Sequence, residues 1–378
     1  MVDELSFPTK IVSNQNAISY LQKISNERIL IVTDQFIEKM TIFNKLLETM
    51  RKKNDFQIFS DVIPDPPIEI ISSGVSKLKN MNGTMLLAIG GGSVIDAAKG
   101  IKFIARQLEY NHNLELIVIP TTSGSGSEVT NFSIITDEIT NTKHPIVLDF
   151  LQPDVAILDV EFVKSMPPMV TADTGMDVLT HILEAYVSTN STVFSDALCE
   201  KAIVLLFEFL PLAFRDGNNQ LARENVHLCS TMAGMAFNTT SLGINHSLSH
   251  AAGAKLHIPH GRLNTILMPE VIKYNSGLAC SEGSINEVAL EKYAYLASLL
   301  DLPNFSYQIA VKKLLEAIDK LRISLAMPKT LGEAGITKKD LQEHESSIIY
   351  DAMSDPCTLT NPINPSEDSL KKILWAVY

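Results

Sequence analysis

The sequence has few cysteines and no pattern among them. Cys199, Cys229, Cys280 and Cys357 are scattered without a CxxC pair, which excludes a zinc ribbon and a small disulfide framework and fits a reduced, cytoplasmic setting. A basic excess is also missing: 31 Lys and Arg stand against 43 Asp and Glu, a formal charge of −12. Phosphate surfaces have to be neutralised by clustered cations, so neither nucleic acid nor an anionic membrane is expected as a partner. Long apolar runs are absent. The longest block, residues 202–214, contains Glu208 and Pro211 and is too short to cross a bilayer. The opening MVDELSFPTKIVS carries two acids and a proline where a signal peptide would have its apolar core. There is no internal repeat, no GxGxxG and no GxxxxGK[ST] loop.

What is present is apolar and periodic. A chain of 378 residues that is 46% hydrophobic can bury large cores in more than one domain. Short β-branched runs at 28–34, 56–59, 85–89, 116–120 and 154–159 alternate with helical patterns at 37–51, 68–79 and 94–106. Such alternation implies a mostly parallel sheet with crossover helices. Past Asp159 the runs give way to long helical patterns at 195–214, 220–237 and 306–322. The expected architecture is α/β plus all-α: a Rossmann-like nucleotide-binding domain over 1–161, then a helical metal-binding domain over 162–378.

Two small-residue loops fall at the carboxyl ends of expected strands. Gly90-Gly91-Gly92-Ser93 stands between a strand and a helix, where backbone N–H groups and the helix dipole favour an anion. Residues 121–128, TTSGSGSE, follow another strand. Ligands of open parallel sheets bind at such ends, so the pair suits a dinucleotide. A tight strand-to-helix turn is the competing reading of the glycines. Asp34, ending the first strand, suits an adenosine ribose, although in isolation a capping or turn aspartate is the simpler reading.

Metal-capable side chains concentrate in 171–260. Asp177 and His181 are four residues apart in a helical pattern, as are His246 and His250, and that spacing puts both members of a pair on one helix face. His260, between Pro259 and Gly261, reads as part of a loop returning to the site. One Asp and three His suit Fe²⁺ or Zn²⁺ rather than Mg²⁺ or Ca²⁺. Four protein ligands plus a substrate oxygen would make a Lewis-acid centre. His250 reads as a proton relay or a buried, backbone-bonded histidine; His257 has only proximity in its favour.

The ordered motifs AIGGGSVIDAAK, PTTSGSGSEVT, PDVAILD, MPPMVTADTGMDVLTHILEAY, HSLSHAAGAKLHIPHG and DPCTLTNP span nearly the whole chain, and together they resemble the iron-containing, or group III, alcohol dehydrogenases. The resemblance implies a dehydroquinate synthase-like two-domain fold with the active site in the cleft. It implies metal ligands Asp177, His181, His246 and His260, with His250 as an additional active-site histidine. For NAD(H), it implies Asp34, Asp65, Gly91, Gly92, Ser93, Thr121, Thr122, Ser125, Ile134, Lys143 and Leu158; for the substrate pocket, Phe132, Phe237 and Cys357. Ile363 departs from the family's usual NPR, and Phe132 stands where the lactaldehyde-reducing branch has Asn. Length and helical-domain motifs look most like the 1-propanol dehydrogenase branch. The resemblance thus implies hydride transfer between NAD(H) and a short-chain primary alcohol or aldehyde at Fe²⁺ or Zn²⁺, in a homodimer or higher homo-oligomer, in the cytoplasm or a bacterial microcompartment. The rivals are a glycerol dehydrogenase-like polyol oxidation, a dehydroquinate synthase-like lyase and a non-catalytic protein clamped by its metal.

Overall fold

The structure is a computed structural model that describes residues 7–14, 16–137, 142–278 and 286–378. The chain divides into two compact units, with the break between Met166 and Pro167.

The first unit contains strands β1 (Lys10–Ser13), β2 (Arg28–Val32), β3 (Asp55–Phe59), β4 (Met85–Gly90), β5 (Glu115–Pro120), β6 (Phe132–Asp137), β7 (Thr142–Val147) and β8 (Val155–Leu158). Its helices are α1 (Gln35–Glu38), α2 (Thr41–Met50), α3 (Ile68–Asn80) and α4 (Gly92–Gln107). Six strands form a parallel sheet in the order β1-β8-β5-β4-β2-β3. Alternate residues of each strand face opposite sides, so a sheet covered on both faces demands continuous apolar runs. On one face Leu30, Val32, Leu86, Ala88 and Val118 pack with Val75, Leu78, Ile95 and Ile101 of α3 and α4. On the other, Ile29, Ile31, Leu87, Ile89 and Ile117 pack with Phe43, Leu46 and Leu47 of α2. The strand order reverses between β2 and β4, the switch point where such sheets bind ligands. Asp34 and residues 91–93 follow β2 and β4 there, and Thr121 follows the neighbouring β5. The sequence reading did not foresee β1, nor the antiparallel pair β6 and β7.

The second unit is helical throughout its described residues: α5 (Pro168–Val187), α6 (Val193–Arg215), α7 (Gln220–Thr240), α8 (Ile244–Leu256), α9 (His260–Asn275), α10 (Glu287–Leu299), α11 (Tyr307–Ser324), α12 (Lys338–Ser354) and α13 (Glu367–Ala376). Every residue of α5 from Gly175 to Val187 is buried, the mark of a central helix packed on all sides. Leu248, Ala252, Leu263, Ile266, Leu267, Ile348, Leu370 and Leu374 bring α8, α9, α12 and α13 into one core. No helix among the described residues is long and apolar enough to cross a membrane.

Candidate metal centre and cofactor loops

Three helices supply the metal-capable side chains. Asp177 and His181 lie one turn apart on α5, His246 lies in the first turn of α8, and His260 is the first residue of α9. The last position corrects the sequence reading, which put His260 on a loop. Pro259 is the N-cap of α9, and a proline there costs no helical hydrogen bond because its missing N–H would have no intrahelical partner.

Donor atoms of Asp177, His181 and His246 lie within 4.8 Å of one another. Asp177 Oδ1 is 3.7 Å from His246 Nε2 and 3.5 Å from His260 Nε2. Donors bound at about 2.0–2.1 Å around a four-coordinate ion lie roughly 3.3–3.5 Å apart, so the set fits such an ion. The amide of Asn264, one turn after His260, shows the same convergence. Its Nδ2 lies 2.7 Å from Asp177 Oδ1, 3.2 Å from His246 Nε2 and 3.1 Å from His260 Nε2. An amide has two hydrogens for these three acceptors, whereas one cation satisfies all of them.

Electrostatics point the same way. Burial alone would raise the Asp177 carboxyl, but the His181, His260 and His246 rings together hold it well below the usual carboxylate range. Burial opposes a charged His246, yet the Glu184 and Asp177 carboxylates outweigh it and favour positive charge on the ring; a cation bound at Nε2 would meet the same field. Two buried carboxylates among imidazoles call for positive charge.

Glu184, three residues after His181, was missed in the sequence. Its Oε2 meets His246 Nδ1, which directs His246 Nε2 to the ligand cluster. The same carboxylate caps α8. Gly243 offers no side-chain cap; instead Glu184 accepts from the backbone N–H of Asn245 at 2.7 Å and of His246 at 3.3 Å. Asn361, of the TNP motif, accepts from Ile244 N at 3.3 Å. Helix N-termini carry unsatisfied donors and partial positive charge, so the first turn of α8 is held by groups from elsewhere in the fold.

His260 and His250 form the accessible side of the cluster, with 41% and 38% of their side chains exposed, while Asp177, His181 and His246 are buried. The His250 ring stacks on that of His260 at 5.3 Å. Phe237, expected in the substrate pocket, lies with its ring centroid 4.5 Å from that of His181. Cys357 lies two residues after Asp355, which pairs with His250. His257 ends α8 in the left-handed region, exposed.

In the first unit the two small-residue loops are neighbours. A Cβ on Gly91 would lie 3.2 Å from Thr122 Cγ2, and one on Gly92 3.0 Å from Ser125 Oγ, so glycine lets the loops touch. Ser93 opens α4, and Thr121 and Leu158 lie buried at or just past the ends of β5 and β8. Asp34 caps α1, accepting from Phe36 N at 2.8 Å and Ile37 N at 2.9 Å. Asp65 has φ 52, a left-handed geometry that Asn and Asp tolerate best after glycine. Phe132 begins β6, and the side chain of Lys143 lies outside the described residues. Asp96 and Lys99, unremarked in the sequence reading, tie the loops together. Asp96 accepts from Ser127 Oγ at 2.7 Å and from Ile134 N at 3.3 Å. Lys99 donates to Ser127 Oγ, Thr130 Oγ1 and Phe132 O, and burial pushes its ammonium down to about 8.

Comparison with known proteins agrees with this arrangement. Residues 8–160 match the family described as iron-containing alcohol dehydrogenase, and residues 171–378 match the C-terminal part of the Fe-containing alcohol dehydrogenase family. The chain is 36% identical to 1-propanol dehydrogenase PduQ of Citrobacter freundii over 98% of both chains. It is 33% identical to an NADPH-dependent butanol dehydrogenase of Clostridium saccharobutylicum, covering 99% of this chain and 97% of that protein. Among solved structures, a 1,3-propanediol oxidoreductase superposes with a TM-score of 0.89 at 29% identity over the full length of both. An iron-containing alcohol dehydrogenase from Thermococcus thioreducens gives 0.90 at 29% identity over 99% of both. With both halves matched and a relative 36% identical over 98% of both chains, the chain belongs to the iron-containing alcohol dehydrogenase family.

Proposed function

We propose that the chain is a metal-dependent oxidoreductase that moves a hydride between NAD(H) and a short-chain primary alcohol or aldehyde, with 1-propanol and propanal as the reference pair. The observation that carries this reading is the convergence of Asp177, His246 and His260 on one point that is accessible on the His260 and His250 side. A structural metal site would be closed by its ligands, whereas a catalytic one keeps an open position. Asp177, His181, His246 and His260 would hold Fe²⁺ or Zn²⁺, which supplies Lewis acidity at the alcohol or aldehyde oxygen, while NAD(H) supplies the hydride chemistry. The chain's own groups do the rest. The buried Asp177, His181 and His246, with Phe237 packed against His181, would exclude water from the inner side of the site, and His250 would give or take the proton at the substrate oxygen. In the first unit, Gly91, Gly92 and Ser93 offer the N-terminus of α4 to the pyrophosphate, and Thr121, Thr122 and Ser125 face them. Ile134, Leu158 and the Asp96–Lys99 node form the rest of the cofactor's surroundings in the first unit.

The test is a panel of short aldehydes with NADH and NADPH, run on wild type and Asp34→Gly. Wild type should oxidise NADH with propanal. The variant should gain NADPH use, since no carboxylate then repels the 2′-phosphate, at a cost of only a few tenths of a kcal/mol in capping. If no aldehyde supports NADH oxidation, the reading fails; an unchanged cofactor preference removes Asp34 from the ribose site and leaves it a cap. The reading also carries a homo-oligomer and a cytoplasmic setting, the latter supported by free, buried Cys199 and Cys229.

A further inference from the structure

Asp355 lies 105 residues from His250 in sequence, yet its Oδ2 is 2.9 Å from His250 Nδ1. Its other oxygen is equally committed. Oδ1 accepts from the backbone N–H of Cys357 at 2.8 Å, capping the short helix Pro356–Thr360, and lies 3.4 Å from the Ser247 hydroxyl. Asp355 therefore docks on α8 at Ser247 and His250, one turn apart, and His246 lies between these contacts and the Glu184 cap. Burial would raise the Asp355 carboxyl, but the bonds from His250 and Cys357 hold it down at about 2. An ionised carboxylate only accepts hydrogen bonds. The hydrogen of a neutral His250 ring must then sit on Nδ1, which leaves the Nε2 lone pair as the basic position.

Cys357 completes a His–Asp–Cys group whose donor atoms lie within 4.8 Å, which raises a second metal centre as a rival use of the same residues. Burial first, and then the Asp355 charge, push the Cys357 thiol well above its ordinary value, while His250 and Asp355 already satisfy each other. The cluster is a hydrogen-bonded dyad.

We infer that Asp355 is the positioning residue of the proton relay: its carboxylate fixes the His250 ring against His260 and selects the tautomer protonated at Nδ1. This rests on the dehydrogenase reading for its kinetic consequence but not for its geometry. Histidine ligands and bases oriented by a carboxylate recur because ring orientation and tautomer decide which nitrogen works.

The experiment uses full-length, Zn²⁺-loaded protein labelled with ¹⁵N-histidine, in which long-range ¹H–¹⁵N correlation distinguishes the two tautomers. The His250 signals are assigned by their loss in His250→Gln. Wild type should show the Nδ1-protonated form. In Asp355→Asn the amide oxygen keeps the cap to Cys357 N, so the NH₂ group faces His250 Nδ1 and the hydrogen should move to Nε2. Propanal reduction should then lose roughly 10- to 100-fold in kcat, with KM and bound metal nearly unchanged. Should the Asn variant misfold, Asp355→Ser retains a capping acceptor and removes the carboxylate. A wild-type His250 protonated at Nε2, or a tautomer unchanged in both variants, overturns the inference. A shifted tautomer with unchanged kcat supports the positioning role and overturns the relay role given to His250 above.

Discussion

Replacing Gly261 with alanine is expected to abolish metal binding and to destabilise the helical unit by about 3 kcal/mol or more, beyond an ordinary overpacked side chain. A Cβ at this position would lie 2.0 Å from the carbonyl oxygen of Asp173, 2.7 Å from its carbonyl carbon and 3.2 Å from Asp177 Cβ. The first two are backbone of α5, so no rotamer change relieves them. Helix α9 would have to move off α5, taking His260 away from Asp177 and straining the paired bonds of Arg262 to Asp173 at 2.9 and 3.2 Å. Gly253 provides the control. It lies inside α8 with nothing closer than 3.7 Å to an added Cβ, so Gly253→Ala should stabilise by roughly 0.5–1 kcal/mol through its better helix propensity. Denaturant melts and metal content of both variants check the contrast; a Gly261→Ala protein that binds metal normally would refute the close approach.

Glu184→Gln is expected to weaken metal binding by about 10- to 100-fold, the usual cost of losing the carboxylate behind a ligating histidine. Glu184 serves two masters at once, the imidazole Nδ1 of His246 and the backbone donors of Asn245 and His246. Glutamine keeps one acceptor oxygen and turns the other position into a donor. Either a backbone N–H of α8 or His246 Nδ1 then faces an N–H group, and His246 loses the partner that orients it. Because Glu184 is 3% exposed, water cannot replace the lost acceptor. Competition against a chromophoric zinc chelator reads the affinity directly, and wild-type affinity in the variant would leave Glu184 a cap alone.

How much of this was legible follows from which signals are local. The strands β2, β4 and β5 were visible because burial on both sheet faces forces unbroken apolar runs such as Leu86, Leu87 and Ala88. Edge strand β1 reads KIVS with no buried position, so nothing in its composition marks it; its place comes from pairing with β8. The β6–β7 pair, FSIITD and TKHPIV, mixes polar and apolar residues without a run that stands out. Asp177 with His181 were found by spacing on a helix. His260 was read as a loop because proline and glycine flank it, yet Pro259 starts the helix and Gly261 is required by its neighbour α5. Glu184 and Asn264 carried a usable signal, three and four residues from His181 and His260 on the same helices. Asp355 opens the DPCTLTNP motif, but no spacing in the sequence links it to His250; only the folded chain brings the two together.

The most direct test of the central claim is bound metal and propanal-dependent NADH oxidation measured on the same preparations of wild type and His260→Ala. His260 is exposed at the start of a helix, so the variant should remain folded. Wild type should carry about one Fe²⁺ or Zn²⁺ per chain, and the variant should lose both metal and turnover. NADH oxidation by metal-free His260→Ala at the wild-type rate would contradict it.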